Sequence, residues 1–121
     1  VAARVIGGSA SATRLELRVP GADVNPYLAV AASLAAGAWG VEQKLELEVE
    51  PTVGSAYGTG IGERLPRTLQ EATERLHGSS VARELLGDEL VDHFVTTREW
   101  EWRQYATAVT DWERRRYLEI I

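Results

Sequence analysis

Two structural signals meet in one stretch of this sequence, Arg14-Leu15-Glu16-Leu17-Arg18-Val19-Pro20-Gly21-Ala22-Asp23-Val24-Asn25-Pro26-Tyr27-Leu28. Its first part alternates apolar and charged side chains, which predicts a β-strand with one apolar and one charged face. Pro20-Gly21 ends the strand, because proline cannot donate to a β-ladder and glycine permits a sharp turn. Asn25 is a favoured N-cap and Pro26 suits the first helical position, so a helix begins directly afterwards.

The residues before this stretch complete a β-hairpin. Residues 2–6 and 12–19 read as two antiparallel strands joined by Gly7-Gly8-Ser9. Two strands alone are only marginally stable in water, so we expect the hairpin to extend a larger sheet or to pack against helices. The predicted fold class is α+β: a hairpin over residues 2–19, then a mostly helical region over 25–121. No internal repeat or shift in composition divides the chain, which predicts one domain over residues 1–121.

The helical region is predicted element by element. Residues 27–44 are apolar nearly all round, which indicates a helix enclosed by other structure. The glycine-rich residues 50–66 lack periodicity and are predicted to form an irregular loop. Further helices are predicted from the capping box Thr68-Leu69-Gln70-Glu71 to a left-handed C-cap at His77-Gly78, from the N-cap Ser80 to Leu86, from Gly87-Asp88 through Tyr105, and from the capping box Thr110-Asp111-Trp112-Glu113.

Composition excludes several classes of function. The 121 residues carry a net charge of -5, with no basic patch of the kind that binds nucleic acid. The absence of cysteine excludes disulfides and thiol nucleophiles and fits a cytoplasmic location. The longest apolar stretch, residues 26–41, is too short to span a membrane. The chain has no methionine, from which we expect the first residues of the gene product to be missing.

The charged strand face offers the chemistry of phosphoryl transfer. Arg14, Glu16 and Arg18 lie at positions i, i+2 and i+4, so their side chains project from the same face roughly 7 Å apart. A carboxylate supplies hard oxygen for Mg²⁺, and guanidinium groups supply fixed positive charge for phosphate oxygens. A solvated sheet face with a cross-strand ion pair gives the same pattern. The triad alone leaves both interpretations open.

The opening stretch resembles the R-[IL]-E-x-R-x-P-x-x-x-x-N-P-Y-L signature of the glutamine synthetase family. The resemblance continues through Gly40-Val41-Glu42-Gln43-Lys44-Leu45, Leu65-Pro66-Arg67-Thr68-Leu69 and Val109-Thr110-Asp111-Trp112-Glu113, and so covers essentially the whole chain. It implies the C-terminal portion of a catalytic domain that uses ATP to join glutamate and ammonia through γ-glutamyl phosphate.

The resemblance also implies roles for individual residues. Glu16 matches the ligand of the Mg²⁺ or Mn²⁺ ion that bridges the ATP phosphates. Arg18 matches a catalytic arginine near the γ-phosphoryl group and the glutamate substrate, and Arg14 and Arg4 match arginines that contact the nucleotide phosphates. Many members have a lysine near the nucleotide where this chain has Ser11, which removes one positive charge. The family often has proline where this chain has Gly7-Gly8.

Three alternatives follow for the amine acceptor and the activity. The acceptor is ammonia or, as in γ-glutamylpolyamine synthetases, a small alkyl amine. The missing lysine instead favours a non-catalytic relative that serves in binding or assembly. Family members form ring-shaped homo-oligomers, which the resemblance implies for the full-length protein. Their other metal ligands lie upstream of the matched region, so we expect the 121 residues alone to be inactive.

Overall fold

The computed structural model describes residues 2–54 and 63–120, in two compact units, Val1–Arg64 and Leu65–Ile121. The described elements are β1 (Ala3–Ile6), β2 (Arg14–Leu17), α1 (Pro26–Glu42), α2 (Leu69–His77), α3 (Ser80–Leu86), α4 (Asp88–Thr107) and α5 (Asp111–Leu118). The predicted α+β class, a hairpin followed by a mostly helical region, is confirmed. The described parts of the predicted glycine-rich loop contain neither helix nor strand, and residues 55–62 lie outside the described residues.

The hairpin is antiparallel but shorter than its sequence pattern predicts. Its register pairs Arg4 with Glu16 and Ile6 with Arg14. The second strand was expected from residue 12, whereas the backbone N–H groups of Ala12 and Thr13 donate to the Ser9 carbonyl at 2.9 and 3.0 Å. These bonds close a turn, so the connection between the strands extends over residues 7–13.

Helix α1 begins where its capping residues predict. The Asn25 side-chain oxygen accepts hydrogen bonds from the backbone N–H groups of Tyr27 at 3.0 Å and Leu28 at 3.3 Å. The helix ends at Glu42 rather than near Lys44, because Lys44 takes a left-handed backbone conformation with φ of 53°. None of the helices in the described part of the chain is both long enough and apolar enough to cross a membrane.

The prediction that α1 is enclosed by other structure is wrong for the described chain. No residue of this helix is buried, and Leu34 and Val41 are 69% and 79% exposed. Among the described elements, the extensive contacts are those of β1 with β2 and of α4 with α2 and α3. Much of the apolar surface of α1 is therefore exposed, although Leu28 and Trp39 are half-buried.

The second unit has its own small core where α4 packs against α2. Val91 and Val95 lie one turn apart on α4 and are 1% and 5% exposed. Thr73 of α2 is also buried, and its hydroxyl donates to the Leu69 carbonyl at 2.7 Å. That bond satisfies a polar group that would otherwise be costly to bury.

Arg83 connects three helices of this unit. Its guanidinium donates to the His77 carbonyl at the end of α2, at 3.2 and 3.3 Å. It also forms ion pairs with Asp88 at 2.9 Å and Asp92 at 2.8 Å, both on α4. One side chain of α3 thus holds the end of one helix and the first turns of another.

The helix ends of the second unit agree with the predicted caps in part. Thr110 and Glu113 form the predicted capping box, with bonds of 2.8 and 3.2 Å. The predicted left-handed cap at Gly78 is wrong: its φ is -82°, because its N–H continues the helical pattern to the Glu74 carbonyl. Ser80 does not cap α3; the hydroxyl of Ser79 does, accepting from the N–H of Ala82.

At the start of α2, half of the predicted capping box is present. The Thr68 hydroxyl accepts from the backbone N–H of Glu71 at 3.1 Å. The Glu71 carboxylate accepts from the N–H of Arg67 at 2.8 Å. In the predicted box it would accept from Thr68. The carboxylate thus reaches one residue further back.

Candidate active site

The charged face of the hairpin gathers residues from both strands. Alternation along β2 places Arg14 and Glu16 on one face, and Arg18 follows two residues later. The register sets Arg4 of β1 directly opposite Glu16, and directly opposed residues project from the same face. The backbone N–H of Arg18 donates to the Ala2 carbonyl at 2.8 Å, which continues the ladder just beyond the strand.

Glu16 is the centre of this face and contacts two arginines unequally. The Nε of Arg18 donates to Oε1 of Glu16 at 2.7 Å, which is a short, charge-assisted hydrogen bond. A guanidinium nitrogen of Arg4 lies 3.8 Å from Oε2, which is an ion-pair distance but too long for a hydrogen bond. The structure thus brings Arg4, Glu16 and Arg18 together as one cluster.

The arginines change the acidity of the carboxyl group. The hydrogen bond from Arg18 is the main cause that lowers the pKa of Glu16 below its ordinary value of 4.5. Desolvation of the carboxylate acts in the opposite direction, and the positive charges of Arg18 and Arg4 add to the lowering. Glu16 is therefore ionised at neutral pH, which is the form that binds a cation.

Arg14 shares the face but has a different contact. Its guanidinium donates to the Ala12 carbonyl at a long 3.4 Å. No bond or ion pair joins it to Glu16 in the described part of the chain. Its charged group is therefore weakly held, and a phosphate could displace its contact at little cost.

The loop that leads into β2 presents hydroxyl groups where a lysine was expected from the resemblance. The Ser9 and Ser11 hydroxyls lie 3.0 Å apart, and the Thr13 hydroxyl donates to the Ser9 carbonyl. From the resemblance, Ser11 is expected only to remove one positive charge. The turn shows that this position carries a neutral hydroxyl pair, which can donate to a phosphate oxygen but adds no charge.

The chemistry of the cluster fits a divalent cation and phosphate groups. Glu16 offers a hard carboxylate oxygen for a cation. Its Oε2 lies 3.8 Å from the nearest nitrogen of Arg4, which is too far for a hydrogen bond between them. Its side chain is 39% exposed, so a cation can reach it. In residues 2–54 and 63–120 no three histidine or acidic side chains lie together as a metal site, so Glu16 would be one ligand among several.

The fold and this cluster agree with one class of protein. The family model described as "Glutamine synthetase, catalytic domain" matches residues 1–117. The chain belongs to this family. The resemblance stated from the Arg14 to Leu28 stretch is thus confirmed over nearly its full extent.

Individual relatives include both glutamine synthetases and ligases of other amines. The chain is 56% identical to type-1 glutamine synthetase 2 of Dictyostelium discoideum, over 100% of this chain and 24% of that protein. It is 48% identical to gamma-glutamylethanolamide synthetase of Streptomyces coelicolor, over 98% and 25%. It is 41% identical to glutamate–isopropylamine ligase of a Pseudomonas species, over 100% and 27%. The chain spans about a quarter of the length of these relatives.

Proposed function

We propose that the protein is an ATP-dependent ligase that joins the γ-carboxyl group of glutamate to ammonia or a small amine. The observation that carries this proposal is the cluster of Arg4, Glu16 and Arg18 on one strand face of a glutamine synthetase family chain. The cluster combines an ionised carboxylate with fixed positive charge. Phosphoryl transfer is catalysed mainly by such positioning and charge stabilisation.

Each residue of the face has a proposed role. Glu16 would hold a Mg²⁺ or Mn²⁺ ion, which when bound would neutralise charge on the ATP phosphates. Arg18 would act on the γ-phosphoryl group as it transfers and would contact the glutamate substrate. Arg14 and Arg4 would bind the nucleotide phosphates. The weak contact of Arg14 with the Ala12 carbonyl supports its assignment, because little is lost when it turns to a phosphate.

The proposed reaction has two steps. An oxygen of the glutamate γ-carboxylate attacks the γ-phosphorus of ATP, ADP leaves, and γ-glutamyl phosphate forms. The amine nitrogen then attacks the acyl carbon, phosphate leaves with the carboxylate oxygen, and the nitrogen loses a proton. Arg18 has its role in the first step, where its charge stabilises the phosphoryl oxygens. In this proposal the described residues would bind the phosphate groups.

The acceptor is the finer part of the proposal. Ammonia is favoured by the 56% identity to a glutamine synthetase, and small amines by the two amine ligases at 48% and 41%. The test is phosphate release by the protein expressed from its natural gene, with ATP and glutamate and with ammonia, ethanolamine, putrescine or isopropylamine. We expect release that requires both glutamate and one of these amines. No glutamate-dependent release with any of them would contradict the proposal.

A non-catalytic relative is a second candidate, which the neutral Ser9 and Ser11 pair favours. In that case the protein binds nucleotide or assembles without turnover. Titration of ATP in the same preparation separates the two: binding without glutamate-dependent phosphate release favours this candidate.

We also propose a homo-oligomer for the full-length protein, and the exposed apolar surface of α1 supports extensive packing. For the 121 residues alone we expect no activity, because Glu16 would be only one ligand of the cation.

A further inference from the structure

The two oxygens of Glu16 are held differently. Oε1 accepts a 2.7 Å charge-assisted hydrogen bond from Arg18, whereas Oε2 lies 3.8 Å from the nearest nitrogen of Arg4. The short bond occupies a lone pair of the carboxylate and an N–H donor of the guanidinium at the same time. Both groups are thus partly engaged with each other before any ligand arrives.

The bond also engages the Nε of Arg18. The N–H groups of arginine form a planar fork that binds phosphate through two parallel hydrogen bonds. While Nε donates to Glu16, a fork that includes Nε is not free for a phosphate. Conversely, a cation on Glu16 would place its positive charge next to the positive charge of Arg18. Bidentate binding of a cation by both oxygens of Glu16, or of a phosphate by a fork that includes Nε of Arg18, therefore requires this bond to break.

We propose that Glu16 and Arg18 exchange partners when the site is loaded: the carboxylate passes from Arg18 to the divalent cation, and the released guanidinium passes to the phosphoryl group. The exchange rests on the function proposed above and concerns how its two ligands are coupled. Whichever ligand binds first breaks the ion pair, so the second binds without that cost. Cation and phosphate binding are then positively coupled through one hydrogen bond.

The exchange requires little movement. Glu16 and Arg18 side chains are 39% and 44% exposed, and exposed side chains change rotamer in picoseconds to nanoseconds. Arg14 provides an internal comparison, because it lies two residues from Glu16 on the other side. Its guanidinium instead donates to the Ala12 carbonyl. The two arginines thus carry the same charge at the same sequence distance from Glu16 but differ in the bond.

The first test measures Mn²⁺ binding in the absence of nucleotide, by electron paramagnetic resonance of free Mn²⁺ at 0.15 M salt. The protein is expressed from its natural gene. We expect Arg18→Gln to tighten Mn²⁺ binding by about two- to fivefold, as an exposed ion pair is released. Arg14→Gln should tighten it by about twofold at most and by less than Arg18→Gln does, because salt partly screens a charge roughly 7 Å away and no hydrogen bond is lost. Arg18→Lys keeps the charge and should stay near the wild-type affinity.

The same titration with a non-hydrolysable ATP analogue measures the coupling. We expect the analogue to increase Mn²⁺ affinity by a smaller factor in Arg18→Gln than in wild type. Equal Mn²⁺ affinities in Arg18→Gln and Arg14→Gln, or a weaker affinity in Arg18→Gln, would overturn the exchange. Glu16→Gln separates this from the proposed function. If Glu16→Gln binds Mn²⁺ as tightly as wild type does, the proposed metal role of Glu16 is wrong. If Glu16→Gln binds Mn²⁺ more weakly, but Arg18→Gln has the same Mn²⁺ affinity as Arg14→Gln, only the proposed exchange is wrong.

A second measurement uses the wild-type protein and so does not depend on the folding of Arg18→Gln. The side-chain Nε–H resonance of Arg18 is assigned by its loss in Arg18→Lys. Addition of Mg²⁺ alone should shift this resonance, because its hydrogen bond to Glu16 is broken. The corresponding resonance of Arg14 should move less. Saturation with Mg²⁺ that leaves the Arg18 resonance unchanged would overturn the proposal.

Discussion

Replacing Val91 with alanine should destabilise the second unit more than any comparable change at its surface. Val91 is 1% exposed where α4 packs against α2, with Val95 beside it at 5%. The substitution removes the equivalent of two buried methylene groups, worth about 1.6 kcal/mol in transfer free energy. The cavity left behind adds to this, so we expect a loss of roughly 2 kcal/mol in the free energy of unfolding. The corresponding fall in Tm is about 10 °C.

The assay is urea unfolding followed by the helical circular-dichroism signal, with hydrogen exchange of α2 and α4 amides to locate the effect. Val109→Ala is the matched control: it makes the same chemical change at a side chain that is 71% exposed. We expect it to change stability by less than about 0.5 kcal/mol. Equal losses in the two variants would refute the assignment of the core to the α2 and α4 contact.

Three further predictions concern bonds described above. Thr110→Ala removes the capping hydroxyl of α5 and should cost about 1 kcal/mol locally, seen as faster amide exchange in its first turn. Arg18→Gln should raise the pKa of Glu16 back towards 4.5, measured by carbon NMR of its carboxyl group. Because the folded pKa is lowered, the ion pair stabilises the hairpin above about pH 4.5 and is lost as the pH falls through the lowered value. Arg83→Gln should speed exchange in α3 and lower Tm, whereas exposed Arg116→Gln should do neither.

Each of these has an opposing result. Unchanged exchange at the start of α5 in Thr110→Ala would show that the cap adds nothing to the helix. An unchanged pKa of Glu16 in Arg18→Gln would show that the 2.7 Å bond is not formed in solution. Equal Tm values for Arg83→Gln and Arg116→Gln would show that the three-helix connection of Arg83 is energetically neutral.

Local signals in the sequence were sufficient for most of the helix starts. Each cap is specified by residues no more than three positions apart, Asn25 with Pro26 and Thr110 with Glu113. The structure has both caps. Errors arose where a neighbouring element competed. Gly78 keeps a right-handed conformation because its N–H continues the helical pattern to the Glu74 carbonyl, and α3 follows almost at once.

The enclosure of α1 could not be decided from its composition. An apolar helix signals that something covers it, but the sequence of the helix does not identify the covering element. In the described chain no residue of this helix is buried. The prediction therefore failed in this structure, although the helix itself was predicted correctly.

The candidate site was partly predictable. Alternation placed Arg14, Glu16 and Arg18 on one face without any knowledge of the fold. The position of Arg4 opposite Glu16 depends on the hairpin register, and the turn closed by Ser9 changes the loop length that sets it. Glu16 bonds to Arg18 and not to Arg14 because of the side-chain rotamers. The sequence could not predict this, since both arginines lie two residues from Glu16.

The most direct test of the proposed ligase follows one oxygen atom. Glutamate labelled with oxygen-18 in its γ-carboxyl group is incubated with ATP, the effective amine and the protein expressed from its natural gene. We expect each released phosphate to carry one labelled oxygen. We also expect Glu16→Gln to reduce release at least about 100-fold, whereas the exposed control Glu48→Gln does not reduce it. Unlabelled phosphate would mean that water attacks ATP, and it would contradict the formation of γ-glutamyl phosphate.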